Sequence, residues 1–534
     1  MQMKTVPWTV YAPTRHKEHW TLPDGLDWKT VQLKVKRLQM RIAARGHGWP
    51  ETMPKAPEGR EAGCEASAAA KLKKYRLMRS LQWLLAHSFY GKLLAVRRVT
   101  SNKGKNTPGV DGVVWKTSRQ KTNAVKLLYR RGYRATPLRR VYIPKKSGKL
   151  RPLGIPTMRD RAMQALYASA LAPIAETWAD PNSYGFRQRR SCADAISQCF
   201  NWLSRRNSAT WVLEADISAC FDTISHQWIL ENIPIDKKML KQWLTAGFLD
   251  KGELFPTLKG TPQGGIISPI IMNMTLDGLE NIADKSVPWY LPRTGNRTGV
   301  AVIRYADDFV ITGKTKELLE QKVLPAIKPF LDERGLTLSE EKTKITQIDQ
   351  GFDFLGQHLR KYKNGKLITT PTRLSVQRLQ TAVRQILKAH CGDDTWSLIR
   401  RLNQTIRGWC NYHRHACSYR IFNCFDSWLF WEIKRWLHRR HPNKGRRWII
   451  KKYYRLYRNN LWSFHATQKN ADGKNEYRYL LMAGRTRIVR HVKILPPANP
   501  YDPAWTDYFT NRNKKKMDIS QDGRFVQEHG WLLD

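Results

Sequence analysis

The sequence is poor in acidic residues and has no long apolar run. Its 534 residues include 93 Lys and Arg against 44 Asp and Glu, a formal net charge of +49. No segment offers about 18 consecutive apolar residues, so we expect no membrane-spanning helix. The N-terminus, MQMKTVPWTVYAPTRHKEHW, lacks the apolar stretch of a signal peptide. So large a positive charge needs a polyanion; a membrane surface is the rival, but nucleic acid is the default partner.

Cysteine pairs are also missing. The chain has eight cysteines and no C-x-x-C pair, which argues against a zinc ribbon or a redox site. Cys410, Cys417 and Cys424 recur every seven residues near His413 and His415, so a metal site is conceivable. The favoured interpretation is a buried face of one helix, because apolar residues continue at i+3/i+4 spacing. That stripe comprises Leu402, Ile406, Trp409, His413, Cys417, Ile421, Cys424 and Trp428.

The segment RYADDFVI places two adjacent carboxylates, Asp307 and Asp308, inside an apolar run. Neighbouring carboxylates raise each other's pKa unless a cation lies between them. On a flat strand they would point to opposite faces, whereas at a tight hairpin both can approach one ion. Bound Mg²⁺ would offset the cost of burying them, since it prefers oxygen ligands. The alternative is an exposed Asp-Asp turn between two strands.

A third carboxylate, Asp216, ends the apolar strand pattern of WVLEADISACFDTI. Two-metal phosphoryl transfer needs carboxylates from separate strands, so Asp216 is the natural partner of the Asp-Asp pair. Alone, it could equally be a helix N-cap.

Two further segments favour nucleotide binding. RRVYIPKKSGKLRPLGIP predicts a basic hairpin, whose Lys145 and Arg151 could hold a triphosphate, or which could be a solvated charged turn. GTPQGGIISP is a Gly-rich loop, whose glycines allow close backbone approach and whose Gln263 could hydrogen-bond to a nucleotide or primer.

In their order, these segments resemble the polymerase blocks of group II intron-encoded reverse transcriptases/maturases. The similarity covers about residues 25–500 and includes LLAVRRVTSNKGKNTPGVDG, RRVYIPKKSGKLRPLGIPTMRDRAMQ, SYGFRQRRSCADAI, LEADISACFDTISH, GTPQGGIISPIIMN, RYADDFVI, LTLSEEKTKI and FDFLGQHL. The resemblance implies an α+β right-hand polymerase with fingers and palm, an α-helical thumb, and a small basic C-terminal DNA-binding domain. The predicted divisions are an N-terminal extension of basic helices and linker (1–80), fingers and palm (81–365), thumb or maturase domain X (366–440) and the DNA-binding domain (441–534).

The resemblance also assigns roles to individual residues. Asp216, Asp307 and Asp308 match the catalytic triad that binds two Mg²⁺ ions, with the backbone carbonyl of Ile217 as a further ligand. Phe221 matches the aromatic gate that excludes a ribose 2′-OH. The remaining expected nucleotide contacts are Lys145, Arg151, Gln263 and Lys342.

The segment from Lys444 to Arg458 has seven basic residues and no acid, with aromatic residues interleaved. A solvated charged face is one interpretation. Phosphate contact combined with base stacking is the other. From its place in the resemblance, we expect nucleic-acid contacts from Lys444, Arg446, Arg447, Lys451 and Lys452.

The resemblance implies an RNA-directed DNA polymerase that assists intron splicing and copies the intron during retrohoming. Its expected partners are group II intron RNA, target DNA and deoxynucleoside triphosphates, with no membrane, in the cytoplasm and at the nucleoid. The alternatives are a reverse transcriptase of another bacterial lineage, or a splicing maturase without polymerase activity. Many relatives continue into an H-N-H endonuclease; because the sequence after Asn499 has one histidine and no cysteine, we expect that domain to be absent.

Overall fold

The computed structural model describes residues 20, 22, 26–46, 62–144, 150–290, 297–390, 392, 394–457, 460–470 and 472–521. Lys145 therefore lies outside the described residues, as do most of the first 25 residues and the last 13. The helices are α1 (Trp28–Gly46), α2 (Ala62–His87), α3 (Phe89–Ser101), α4 (Ser118–Lys126), α5 (Met158–Trp178), α6 (Cys192–Leu203), α7 (Cys220–Thr223), α8 (His226–Asn232), α9 (Lys237–Leu244), α10 (Ser268–Leu276), α11 (Leu279–Lys285), α12 (Lys316–Leu318), α13 (Leu324–Asp332), α14 (Arg373–Ala389), α15 (Thr395–His413), α16 (Tyr419–Arg440), α17 (Arg446–Tyr453) and α18 (Thr506–Gln521).

A π-helical turn, Leu319–Val323, joins α12 to α13, and 3-10 turns occupy Ala483–Arg485 and Pro503–Trp505. The strands are β1 (Leu138–Pro144), β2 (Leu150–Ile155), β3 (Trp211–Asp216), β4 (Phe248–Asp250), β5 (Glu253–Phe255), β6 (Ala301–Tyr305), β7 (Asp308–Gly313), β8 (Lys344–Gln347), β9 (Phe352–Phe354), β10 (Gln357–Lys361), β11 (Leu367–Pro371), β12 (Tyr454–Tyr457), β13 (Asn460–Lys469) and β14 (Asn475–Tyr479).

Helices form the N-terminal side of the molecule. The N-terminal extension, which was expected to contain basic helices, includes α1. This helix buries Val31, Val35 and Ile42 while its basic residues face outward. It packs with α2 and α3 against α5 in one large core. Thr157 is the N-cap of helix α5, and its side chain accepts a hydrogen bond from Asp160 N.

Two sheets carry the residues expected to do chemistry. The predicted basic hairpin is β1–β2, in an antiparallel register from Arg139 opposite Ile155 to Pro144 opposite Leu150. It belongs to a four-stranded sheet of order β2-β1-β4-β5. The second sheet, of order β6-β7-β3-β8, is antiparallel throughout and forms the palm sheet.

The palm sheet is buried on both faces. Alternate residues of β3 and β7 belong to different cores: Leu213 and Phe309 join the core of the N-terminal helices, whereas Val212 and Val310 join a second core with α6. This period-2 division is what a strand imposes. It explains why RYADDFVI has a continuous apolar run rather than an alternating one.

The expected helical thumb comprises α14, α15 and α16, which enclose a third core. The predicted single-helix stripe from Leu402 to Trp428 is wrong, because α15 ends at His413 and a turn precedes α16. Cys417 and Cys424 are exposed, and Phe422, Phe425 and Leu429 fill the core instead. His413 is buried, with its ring nitrogens in hydrogen bonds to Gln357 (2.9 Å) and Ser375 (2.8 Å).

The segment predicted as a DNA-binding domain divides between two cores. Ile449, Tyr453 and Phe464 pack with the thumb helices, in the same core as Trp436. Further on, Ile494 and Phe509 return to the second palm core. Among the described helices, none combines the length and apolar character needed to span a bilayer.

Candidate active site

The Asp-Asp pair occupies a tight hairpin at one end of the palm sheet. Tyr305 and Asp308 pair across β6 and β7, which leaves Ala306 and Asp307 as the turn. Ala306 has φ +63°, an unfavourable left-handed conformation for a residue with a side chain. In the neighbouring strand, Asp216 lies directly opposite Asp308. The structure thus brings the three predicted carboxylates to the same end of the sheet.

Burial and mutual repulsion disturb the ionisation of these carboxylates. Burial raises the pKa of Asp308 to about 7, and the negative charges of Asp216 and Asp307 add to the effect. Burial also raises the pKa of Asp307, and the negative charge of Asp216 contributes to this rise. The charges of Arg151 and Lys342 act in the opposite direction. The arrangement favours binding of a cation, because a cation would relieve the repulsion.

Lys342 supplies part of that positive charge. Its ammonium group donates a hydrogen bond to Asp216 Oδ2, and the pair forms a salt bridge. This hydrogen bond raises the pKa of Lys342. Within the ranges that the structure describes, no three His, Cys, Asp or Glu side chains are arranged to hold a metal ion by themselves. The three carboxylates offer oxygen ligands, which Mg²⁺ prefers, and Asp216 is bound by Lys342.

The backbone beside Asp216 is fixed by the chain that carries Lys342. Ile217 forms an antiparallel bridge with Leu338. Its two hydrogen bonds run from Ser339 N to Asp216 O (2.8 Å) and from Ser218 N to Thr337 O (2.9 Å). The carbonyl of Ile217 takes part in neither of these bonds. Its position next to Asp216 is compatible with the predicted ligand role.

Phe221 lies in α7, just beyond Ile217. Its ring meets the edge of Phe186 at a centroid distance of 6.4 Å and an interplanar angle of 80°. Its carbonyl accepts a hydrogen bond from Thr261 N (2.6 Å), which ties it to the Gly-rich loop. The predicted gate residue is thus held by both a ring and a backbone contact.

The Gly-rich loop joins the site to the basic hairpin. Gly154 N in β2 donates to Gln263 O (2.9 Å), and Gln263 Nε2 donates to Asp222 Oδ2 (2.8 Å). A Cβ at Gly264, which has φ +124°, would come within 2.6 Å of Gly154 O, so only glycine fits. Arg151 is in β2 and its charge acts on Asp307.

Several residues beneath the hairpin had no predicted role. A Cβ on Gly185 would lie 2.3 Å from Ala306 N, so the loop preceding α6 packs directly against the turn that carries Asp307. Asn273 Nδ2 donates to Gly185 O (2.7 Å), and the buried Arg304 forms a salt bridge with Asp277. The glycine within SYGFRQRRS was the one available signal of such a close approach.

The basic residues expected to bind nucleic acid belong to a different part of the fold. Arg446, Arg447, Lys451 and Lys452 are in α17, which packs on the thumb core. Lys444 and Lys452 lie over the Trp448 ring, 5.6 and 4.7 Å from its centroid. Cations beside a partly exposed aromatic ring suit phosphate contact combined with base stacking.

Three family models match the chain in succession. The N-terminal domain of reverse transcriptase matches residues 65–128, and the reverse transcriptase (RNA-dependent DNA polymerase) model matches residues 143–359. The maturase-specific domain of group II introns matches residues 376–454. The second match contains all three carboxylates, and the third extends past the predicted thumb boundary at residue 440.

Individual relatives agree with these models. Protein YkfC of Escherichia coli (strain K12) is 34% identical over an alignment of 330 residues; the match covers 55% of this chain and 86% of that protein. The group II intron-encoded protein LtrA of Lactococcus lactis subsp. cremoris is 29% identical, with 65% of this chain and 72% of LtrA covered. The chain belongs to the family of group II intron-encoded reverse transcriptases/maturases: it is an RNA-directed DNA polymerase with a maturase function in group II intron splicing and mobility.

Proposed function

We propose that Asp216, Asp307 and Asp308, together with the Ile217 carbonyl, bind the two Mg²⁺ ions of the polymerase reaction. The observation that carries this proposal is the convergence of three mutually repelling carboxylates at one sheet end, with the pKa of Asp308 raised to about 7. When bound there, two Mg²⁺ ions would supply the positive charge that stabilises the attacking and leaving oxygens of an in-line displacement. The incoming triphosphate would supply the additional oxygen ligands that the protein side chains do not.

The same proposal gives the other residues their roles in synthesis. By holding the metal ions, the carboxylates would orient the primer 3′-OH towards the α-phosphate of a deoxynucleotide. The new bond from the 3′ oxygen to phosphorus would form as the bond to pyrophosphate breaks, and the hydroxyl proton would pass to water. Arg151, in β2, would contact the triphosphate. Lys145, which lies outside the described residues, would be a second contact. Lys342 would exchange Asp216 for the nucleotide, since its side chain is largely exposed and can move.

The nucleotide sugar would meet Phe221. Its ring packs against the Phe186 ring in an edge-to-face arrangement, which would limit its movement away from an extra hydroxyl. Gln263, whose amide is held by Asp222, lies on the loop bonded to Phe221 and would contact the nucleotide from that side. Selection of deoxynucleotides thus follows from an aromatic wall.

Nucleic acid would be held by the basic surface outside the palm. The thumb binds intron RNA and template-primer in this proposal, and α17 with Lys444 binds target DNA, which would bring the protein to the nucleoid. The support is the combination of a +49 net charge with cations stacked on Trp448. Each phosphate contact releases counterions, so binding should weaken steeply with salt.

The metal assignment predicts that Asp308→Asn abolishes DNA synthesis while intron-RNA affinity stays near wild type, because the amide cannot replace a charged ligand. Primer extension with Mg²⁺ and an RNA-binding titration measure the two effects. Asp353→Asn is the matched control, since Asp353 is an exposed carboxylate in β9 that pairs with His358. Near-normal extension by Asp308→Asn would refute the assignment.

The close packing beneath the hairpin predicts that Gly185→Ala slows DNA synthesis by at least about tenfold. The added methyl must displace the Ala306 backbone, and small misplacements of reacting groups are costly. Gly392→Ala is the control, because a Cβ there meets nothing within 4 Å. Single-turnover rates per active enzyme make the comparison, and equal rates for the two variants would contradict the prediction.

The gate assignment predicts that Phe221→Ala incorporates ribonucleotides. Removing the ring opens the space that a 2′-OH needs, so the preference for dATP over ATP should collapse. Single-nucleotide extension with each substrate measures the ratio. A ratio equal to that of the wild type would place the gate at another residue.

The division of binding surfaces predicts that neutralising Lys444, Arg446, Arg447, Lys451 and Lys452 together weakens target-DNA binding more than intron-RNA binding. The salt dependence of DNA binding should flatten as phosphate contacts are lost. The control removes five exposed cations of α1, namely Lys34, Lys36, Arg37, Arg41 and Arg45. If both ligands lose affinity equally in the α17 variant, the division is wrong.

A further inference from the structure

The loop formed by residues 183–190, which precedes α6, lies directly against the catalytic hairpin. Tyr184 N donates a hydrogen bond to Arg304 O (2.8 Å), and Ser183 forms a parallel β-bridge with Arg304. Gly185 contacts the backbone of Ala306 so closely that it has no room for a Cβ. The loop therefore determines where the turn bearing Asp307 can lie.

The 183–190 loop also holds the ring behind the gate. Phe186 has φ +56° and Arg189 has φ +63°, so two residues with side chains adopt the left-handed region within one short loop. Such conformations are unfavourable and persist only where surrounding contacts enforce them. In the left-handed conformation of Phe186, its ring contacts the ring of Phe221.

Some of the enforcing contacts come from far along the chain. Residues 491–512, the C-terminal strap, cross back from the thumb side to the 183–190 loop. Arg190 donates to Pro496 O (2.6 Å) and Gln188 Nε2 donates to the Tyr501 hydroxyl (2.6 Å). Arg512 donates to Arg189 O (2.9 Å), at one of the two strained positions.

The C-terminal strap is anchored at the start of α6 by the fully buried Asp194. Its carboxylate binds Arg512 (2.6 Å), His491 (2.9 Å) and Ile494 N (2.7 Å). Burial alone would raise the pKa of Asp194, but the bond and charge of His491 and the charge of Arg512 outweigh burial and hold it below its ordinary value. The strap is thus attached by a satisfied ionic cluster rather than by loose surface contact.

We propose that the C-terminal strap is a positioning element of the polymerase site. By holding Gln188, Arg189 and Arg190, it keeps the 183–190 loop in the strained conformation that supports the catalytic turn and the gate. The C-terminal region therefore contributes to the rate of nucleotide addition and to sugar selection, independently of any DNA that it binds. Its effect on sugar selection rests on the proposed gate role of Phe221, whereas its effect on rate does not.

The test compares Tyr501→Phe with Tyr508→Phe in the full-length protein. The first variant removes the hydroxyl that receives Gln188, a bond between strap and loop. The second variant removes the hydroxyl that accepts a hydrogen bond from Leu495 N, a bond within the strap. The two variants therefore make the same chemical change at different places. Single-turnover dATP addition, normalised to active enzyme, is measured with the dATP-to-ATP preference, intron-RNA affinity and melting temperature.

We expect Tyr501→Phe to slow dATP addition about threefold or more relative to Tyr508→Phe and to lower the dATP-to-ATP preference, with unchanged RNA affinity. A loss of folded protein alone would leave the preference and the normalised rate unchanged. A normalised rate of Tyr501→Phe equal to that of the wild-type protein would overturn the proposal, whatever the melting temperature.

Two further variants separate the ways in which the proposal can fail. Arg512→Gln should have the same effect on rate and preference, with partial recovery in Arg512→Lys, which keeps the charge next to Asp194. If Phe221→Ala leaves sugar preference unchanged, the gate assignment fails, and the normalised rates of the tyrosine variants still decide the role of the strap.

Discussion

The repulsion among three carboxylates at one end of a buried sheet is the constraint on which the rest of the structure depends. Burial and neighbouring charge raise the pKa of both Asp307 and Asp308, so an empty site of this kind is electrostatically unfavourable. Lys342 offsets part of the repulsion by binding Asp216. Because the Lys342 side chain is largely exposed, this positive charge is free to move when a ligand binds. The carboxylates do not stabilise the fold; the fold holds them together.

Holding them together requires rigid layers on both sides of the palm sheet. One face of the sheet packs on the helical core of the N-terminal half, and the other packs on α6 and the returning C-terminal segment. Beneath the hairpin, Arg304 is almost completely buried and is paired with Asp277 and Asp180. A buried pair of this kind adds little net stability but penalises other arrangements, because breaking it leaves a charge without a partner. It therefore favours one fixed position of β6 over several similar ones.

The sequence predicted the local parts of this site well. The hairpins β1–β2 and β6–β7 follow from short apolar patterns and turn residues, and the pairing of Asp216 with Asp308 follows from the need for two strands. The helix break after His413 was missed because Cys417, Ile421, Cys424 and Trp428 continue the i+3/i+4 spacing of α15, although the residues that are buried in α16 include Phe422 and Phe425. The bond between Arg512 and Asp194 joins residues 318 positions apart, and no local pattern carries such information. Residue type alone does indicate that a buried arginine will have a partner, but not which one.

Backbone strain links these distant contacts to catalysis. Ala306, Phe186 and Arg189 all have positive φ, and each such residue costs about 1–3 kcal/mol that surrounding interactions must offset. The three positions form a continuous path, from the turn of the hairpin through Gly185 to the loop before α6. At the far end of that path, Gln188 and Arg190 donate hydrogen bonds to residues near position 500. The β3–β7 ladder by itself places Asp216 opposite Asp308, whereas the turn that carries Asp307 also packs on a loop that hydrogen-bonds to residues close to the C-terminal end of the chain.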